Sequence, residues 1–165
     1  NLLLGVTAVF GVILAIYTAF LFAQAKGRDF WQSPTLPLHM LVHSVLAGAA
    51  VFAIMAVVVQ PESWMEILGT VISISLVINL FTLITELTIT HPTKAAKKVV
   101  QMILKGRYQS LFWLGTIILG NVLPLILIQF LPGQLSLAVA GILILIGIYV
   151  TEKIWVEAPQ RIPLA

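Results

Sequence analysis

Three ionisable side chains stand inside otherwise apolar runs of this chain: His39, His43 and Glu86. His39 and His43 are four residues apart, so on a helix they share one face. Glu86 closes a polar file with Ser75, Asn79 and Thr82 at helical spacing. A charged group held in hydrocarbon costs about 2.5–3.5 kcal/mol even on the mildest insertion scales, so such groups point to function. Their types narrow the chemistry. Imidazole exchanges protons near neutral pH through two distinct ring nitrogens. Chains of carboxylates and histidines are the usual material of proton relays in membranes.

The elements that must position these groups follow from composition. The chain is 60% hydrophobic and only 9% charged, where a soluble domain carries about 25% charged residues. Apolar runs cover residues 2–25, 36–59, 64–90, 110–131 and 135–150. Most are near the roughly 20 residues that a bilayer-spanning helix needs. They are too unbroken in Leu, Ile and Val for the alternating strands of a membrane barrel. The expected fold is all-α and integral to the membrane, with five transmembrane helices in an antiparallel bundle. It forms one domain over residues 1–165. Residues 93–105 add a short amphipathic helix: Lys94, Lys98, Gln101 and Lys105 line one face and Ala95, Val99, Met102 and Ile103 the other. Thr93 is its expected N-cap, and it is expected to lie in the interface plane. Small residues along the first run, from Gly5 and Gly11 to Ala19 and Ala23, are expected to bring helices close. Phe30 and Trp31 in the following loop suit the headgroup level. Residues 151–161 read as a tail.

Charge orients the bundle. Lys26 and Arg28 flank the first connection; Lys94, Lys97, Lys98, Lys105 and Arg107 crowd the third; Lys153 and Arg161 follow the last run. The second connection carries Glu62 and Glu66 without Lys or Arg. Basic connections face the cytoplasm, which places the N-terminus of this segment outside and the C-terminus inside. The expected location is the bacterial cytoplasmic (inner) membrane, as a multi-pass protein. The net charge of +3 is accounted for by topology and does not indicate nucleic acid. The chain has no cysteine, so it supplies no thiolate to an iron–sulfur cluster. It opens on Asn1 rather than Met, and is expected to begin partway through a longer protein.

The topology then brings the polar groups together. The turn Gln60-Pro61-Glu62-Ser63 is so short that the second and third helices are antiparallel neighbours. At about 1.5 Å per residue, His39 and Glu86 each lie about one turn from the cytoplasmic end and His43 about two. All three are expected to meet. Thr82, Asn79 and Ser75 continue the face of Glu86 outward for roughly 16 Å. Asn121 on the fourth helix reaches a similar depth, beside a Gly120 carbonyl that Pro124 cannot satisfy. Together they read as a half-channel: Glu86 and His43 as relay groups, His39 at the mouth, Asn79, Thr82 and Asn121 holding water. Blander roles exist for each. Ser75 and Thr82 can bond their own helix, the two asparagines can join helices, and Glu86 can pair with Lys94 or Arg107. His91 reads as a loop residue ending the third helix with Pro92. Haem between two histidines needs ligands from two helices, and His39 and His43 share one. The set His39, His43 and Glu86 has the ligand types of a zinc site but not the HExxH pattern, so no metal is expected.

Several short motifs carry a family resemblance. They are Tyr17-Thr18-Ala19-Phe20-Leu21, then Lys26-Gly27-Arg28-Asp29-Phe30-Trp31-Gln32-Ser33-Pro34-Thr35-Leu36-Pro37-Leu38, the intramembrane Glu86, the His91-Pro92 break and Pro159-Gln160-Arg161-Ile162-Pro163-Leu164. With these the chain resembles the NrfD/PsrC family of polysulfide reductase-like membrane subunits. It looks closest to the NrfD-like quinol-oxidising subunits of alternative complex III. The resemblance implies a subunit without bound haem, with quinone or quinol (menaquinone or ubiquinone) as substrate. It also implies an iron–sulfur protein docked on the outer face and other membrane subunits around it in the lipid bilayer. It places the quinone head-group site largely in helices preceding this segment.

The expected function is therefore that of a membrane subunit in a quinone-linked respiratory oxidoreductase. It supports quinol oxidation through the iron–sulfur partner and provides a proton half-channel from the cytoplasmic side. The rival readings are a non-catalytic anchor or assembly subunit and a secondary transporter. The transporter would need an inverted second half with broken helices, and no such symmetry is visible.

Overall fold

The computed structural model describes residues 2–59, 62–91 and 93–163. Asn1, the Gln60-Pro61 part of the expected turn, Pro92 of the His91-Pro92 break and Leu164 of the terminal motif lie outside the described residues. Every regular element among the described residues is helical: α1 (Leu2–Ala23), α2 (Leu36–Val59), α3 (Glu62–Thr88), α4 (Lys94–Leu104), α5 (Leu111–Phe130) and α6 (Gln134–Gln160). Five of these, all but α4, are long and apolar enough to cross a membrane. This is the multi-pass, all-α architecture expected from composition.

The antiparallel pair α2–α6 forms the centre of the bundle; α3 flanks α2, α5 flanks α6, and α1 runs along α2. Close approach is concentrated on α6. A Cβ on Gly120 of α5 would lie 2.5 Å from the Cα of Gly147 on α6, and a Cβ on Gly141 would lie 2.7 Å from the Ala50 carbonyl oxygen on α2. Both contacts are backbone to backbone, so neither yields to a rotamer change. The small residues of α1 behave differently from expectation. Only Ala19 of that helix is buried, and Gly5 and Gly11 face open space. Gly147→Ala is therefore expected to push α5 from α6 and cost about 1–3 kcal/mol. Gly11→Ala is expected to leave the stability of the subunit's own bundle unchanged. Thermal denaturation of the detergent-solubilised protein distinguishes the two.

Helix α5 is wound as a π-helix from Leu111 to Val122 and becomes α-helical from Leu123. At the junction the Leu123 N–H donates to the Ile118 carbonyl, five residues back. Pro124 follows inside the first turn of the α-helical part, where a missing N–H is least costly.

Helix α6 runs ten residues beyond the expected limit of the fifth span at residue 150. The expected tail is helix, and it brings Thr151, Glu152 and Trp155 into the bundle. Pro159 sits inside this helix and has no N–H to give the Trp155 carbonyl. The indole N–H of Trp31 takes that place at 2.8 Å. A buried carbonyl left without this donor would cost about 1–3 kcal/mol. This is why Phe30 and Trp31, in the 3₁₀ turn Asp29–Gln32, are buried under α6 instead of lying at a headgroup surface. Arg28 completes the same end: Nη1 donates to the carbonyls of Pro159 and Ile162, each at 2.6 Å. It thereby places a cation on the negative end of the helix dipole.

Helix α4 begins at Thr93, whose hydroxyl accepts from the Ala96 N–H at 3.2 Å. It buries Ala96, Val99 and Ile103 against Phe30, Trp155 and Ala158, and exposes Lys94, Lys97, Lys98 and Lys105. It thus covers the basic end of the bundle, directly beneath the ionisable cluster.

Candidate functional site

The cluster is assembled from three helices. α2 supplies His39 and His43, α3 supplies Glu86, and the unforeseen extension of α6 supplies Glu152. His39 Nδ1 lies 2.8 Å from Glu86 Oε2, and both residues are fully buried. His43 Nδ1 lies 2.6 Å from Glu152 Oε1. His39 Nε2 approaches the same Glu152 oxygen at 3.6 Å. The two imidazole rings stand edge to face with centroids 4.3 Å apart. The order of groups is thus Glu86, His39, Glu152, His43.

This differs from the arrangement expected from sequence in one respect. His39, not His43, is the partner of Glu86, and His43 answers to Glu152 instead. His39 is fully buried, whereas the Glu152 side chain keeps 30% exposure. Glu152, not His39, is the cluster's opening. Trp155 closes one side, its ring 5.2 Å from that of His39. His91 sits below: its Nε2 lies 3.1 Å from the Glu86 backbone carbonyl and its ring 5.8 Å from that of Phe30. It is a buried support of the cluster's floor rather than a loop residue in solvent.

The local sequence explains the burial. The inward stripe of α6 reads Ala140, Gly141, Ile144, Gly147, Thr151, Ile154, Trp155 and Ala158 at three- and four-residue steps. Glu152 follows Thr151 on the edge of that stripe, toward α2. Two carboxylates and two imidazoles in a low-dielectric setting are tolerated only as partners. Each imidazole must share a proton with a carboxylate, or the acid must be neutral. His39 Nε2, His43 Nε2 and Glu86 Oε1 are buried without any protein hydrogen-bond partner.

Farther along the bundle a second polar chain links α3, α5 and α6. Asn79 Nδ2 donates to Asn121 Oδ1 at 2.9 Å, and Asn121 Nδ2 donates to the Thr116 carbonyl at 2.7 Å. The Thr116 hydroxyl lies 3.0 Å from that of Thr151, which donates to the Gly147 carbonyl at 2.8 Å. The π-wound stretch of α5 carries both Thr116 and Asn121. Such windings recur at functional sites because they expose backbone groups. Of the expected water-holding residues, Asn79 and Asn121 therefore meet. Thr82 is buried but bonds its own helix, donating to the Ile78 carbonyl at 2.8 Å. Ser75 is buried on the same file.

Sequence reading missed Glu152, Thr116 and Thr151. The signal for the α6 pair was the apolar stripe continuing through Ile154 and Trp155, masked by the charges of Glu152, Lys153 and Glu157.

Comparison with known proteins bears on all of this. The family model described as "Polysulphide reductase, NrfD" matches residues 1–156. Among curated proteins, a membrane-family relative named as one of the subunits of a selenate reductase, from Mesobacillus selenatarsenatis, is 27% identical over 139 residues. The aligned part covers 79% of this chain and 33% of that protein, so the chain spans about a third of its relative's length. No solved structure matches.

Proposed function

The chain belongs to the NrfD polysulphide reductase family, and from this and the buried cluster we propose a quinone-linked membrane subunit of a respiratory reductase complex that carries protons through Glu86, His39, Glu152 and His43. The observation that supports the reading most is the unbroken order of exchangeable groups, with separations of 2.8, 3.6 and 2.6 Å. His39 is the step at which a proton changes sides. It accepts at Nδ1 from Glu86 and releases at Nε2 toward Glu152, so one ring carries charge without turning over. Glu152 then hands the proton to His43 Nδ1, or the transfers run in reverse. Water between the unpartnered nitrogens and Thr116, Thr151, Asn121 and Asn79 extends the path along the bundle.

In the full complex, quinol oxidation would send two electrons to an iron–sulfur partner on the outer face and release two protons, in the manner of the quinol-oxidising subunits of alternative complex III. The relative's name, a reductase subunit, agrees with electrons leaving quinol for an acceptor. The basic end of the bundle, with Arg28, the α4 lysines and Arg161, would face the cytoplasm of a bacterial cell. The cluster near it then serves as the cytoplasmic half-channel.

A second reading, the helix-locking anchor, is favoured by the Asn79–Asn121 bond, which joins α3 to α5 without any need for proton movement. Glu86→Gln separates the two. The relay reading expects a complex that assembles normally yet turns over quinol, or moves protons, at least about tenfold more slowly, since a positioned proton-transfer group contributes about 10²–10⁴ to its step. A fully active but less stable complex would favour the anchor.

A further inference from the structure

We infer that His39, His43 and Glu152 form a binding site for a divalent transition cation of the zinc type. Their ligand atoms all lie within 4.8 Å of one another. The geometry behind this is specific: two imidazole nitrogens, His43 Nδ1 and His39 Nε2, converge on a single carboxylate oxygen, Glu152 Oε1, at 2.6 and 3.6 Å. A tetrahedral ion with two nitrogen ligands and one carboxylate oxygen is an ordinary zinc ligand set, with water in the fourth position.

Three further features fit a cation. His39 Nε2 is buried and lacks any protein hydrogen-bond partner. Its other nitrogen is held by Glu86 at 2.8 Å. That carboxylate–histidine contact fixes the ring with Nδ1–H toward Glu86 and the Nε2 lone pair toward the site, as in carboxylate–histidine–zinc arrangements. Glu152 and Glu86 together supply two negative charges, which match a divalent ion where water is scarce. Access runs past Glu152, whose side chain is 30% exposed while the histidines are at 0% and 5%. Binding replaces the proton shared by His43 and Glu152 with the metal, so it releases a proton.

The inference does not depend on the relay reading, since zinc is held whether or not protons pass. If both hold, zinc blocks the relay by occupying the atoms that exchange protons. The test uses the purified intact complex equilibrated with zinc. Metal content is measured by mass spectrometry and ligation by zinc-edge X-ray absorption, in the wild type, His43→Ala, Glu152→Gln and the distant control Glu66→Gln. The expected result is one more zinc per complex in the wild type and control than in either site variant. The difference spectrum should show imidazole ligands at about 2.0–2.1 Å. Glu86→Gln, which changes a positioning residue, should keep the stoichiometry and weaken affinity by about 10–100-fold. Equal zinc in wild type and Glu152→Gln, or a difference spectrum without imidazole, overturns the site. Glu152→Gln retains the shape of the side chain and serves alone if His43→Ala fails to assemble. Zinc bound at the site without slowing quinol turnover would preserve the site and count against the relay.

Discussion

Glu152→Gln lowers quinol-dependent turnover of the assembled complex by about a hundredfold where proton transfer limits the rate, the scale of a positioned acid–base group. The amide matches the carboxylate in shape and still occupies the place beside His43 Nδ1 and His39 Nε2, where the wild-type oxygen stands at 2.6 and 3.6 Å. It takes up no proton, so the link between the two imidazoles is cut while the packing remains. The 30% exposure of Glu152 keeps the structural penalty small. Turnover measured with a soluble quinol analogue, alongside subunit content, checks the prediction. Glu152→Asp is expected to recover part of the rate, because it retains the exchangeable group at a shorter reach.

His39→Phe has the largest expected effect on stability. It leaves the Glu86 carboxylate fully buried with Oε2 stripped of its partner, while Oε1 has no protein partner to begin with. Removing one member of a buried pair costs about 3–5 kcal/mol, because the other charge is left uncompensated. The double change His39→Phe/Glu86→Leu removes both charges and is expected to regain most of that loss, since well-packed apolar replacements of buried pairs are often neutral or stabilising. Turnover should stay low in the double variant. Thermal denaturation of the solubilised complex, read against turnover, thus separates the pair's effect on stability from its role in proton transfer. A double variant as active as the wild type would assign the pair to packing alone.

Much of this architecture is legible in the residues. Five apolar runs are hard to read as anything but spanning helices, and His39, His43 and Glu86 announce themselves because ionisable groups are rare in such runs. What escapes the sequence has physical causes. Lys153 and Glu157 make residues 151–161 look like a solvated tail, although Ile154, Trp155 and Ala158 continue the inward stripe of α6. Glu152 is lost with that tail, and with it the correct partner of His43. Phe30 and Trp31 look like interfacial aromatics. Their burial follows from a need created near the far end of the chain, where Pro159 leaves the Trp155 carbonyl without a helical donor. That need is visible in the sequence, but the donor that meets it is a matter of tertiary packing. The π winding of α5, which sets Asn121 beside the Thr116 carbonyl, has no local signature beyond Pro124. Small residues also mislead. Those of α1 are mostly exposed, and the close contacts belong to Gly120, Gly141 and Gly147.

The pairing at the site also alters how the cluster is understood. His39 is fully enclosed between Glu86 and Glu152, so it exchanges protons only with those two carboxylates. Glu152 becomes the gate through which the cluster meets its surroundings. Trp155, Phe30 and α4 seal the cluster from the basic end.

The most direct test of the relay is proton movement per electron, measured with a pH-sensitive dye in vesicles containing the intact complex, for the wild type and for Glu152→Gln at equal subunit content. The relay through Glu86, His39, Glu152 and His43 predicts that proton movement in the variant collapses together with quinol turnover or falls relative to it. Undiminished proton movement at full turnover in the variant would contradict it.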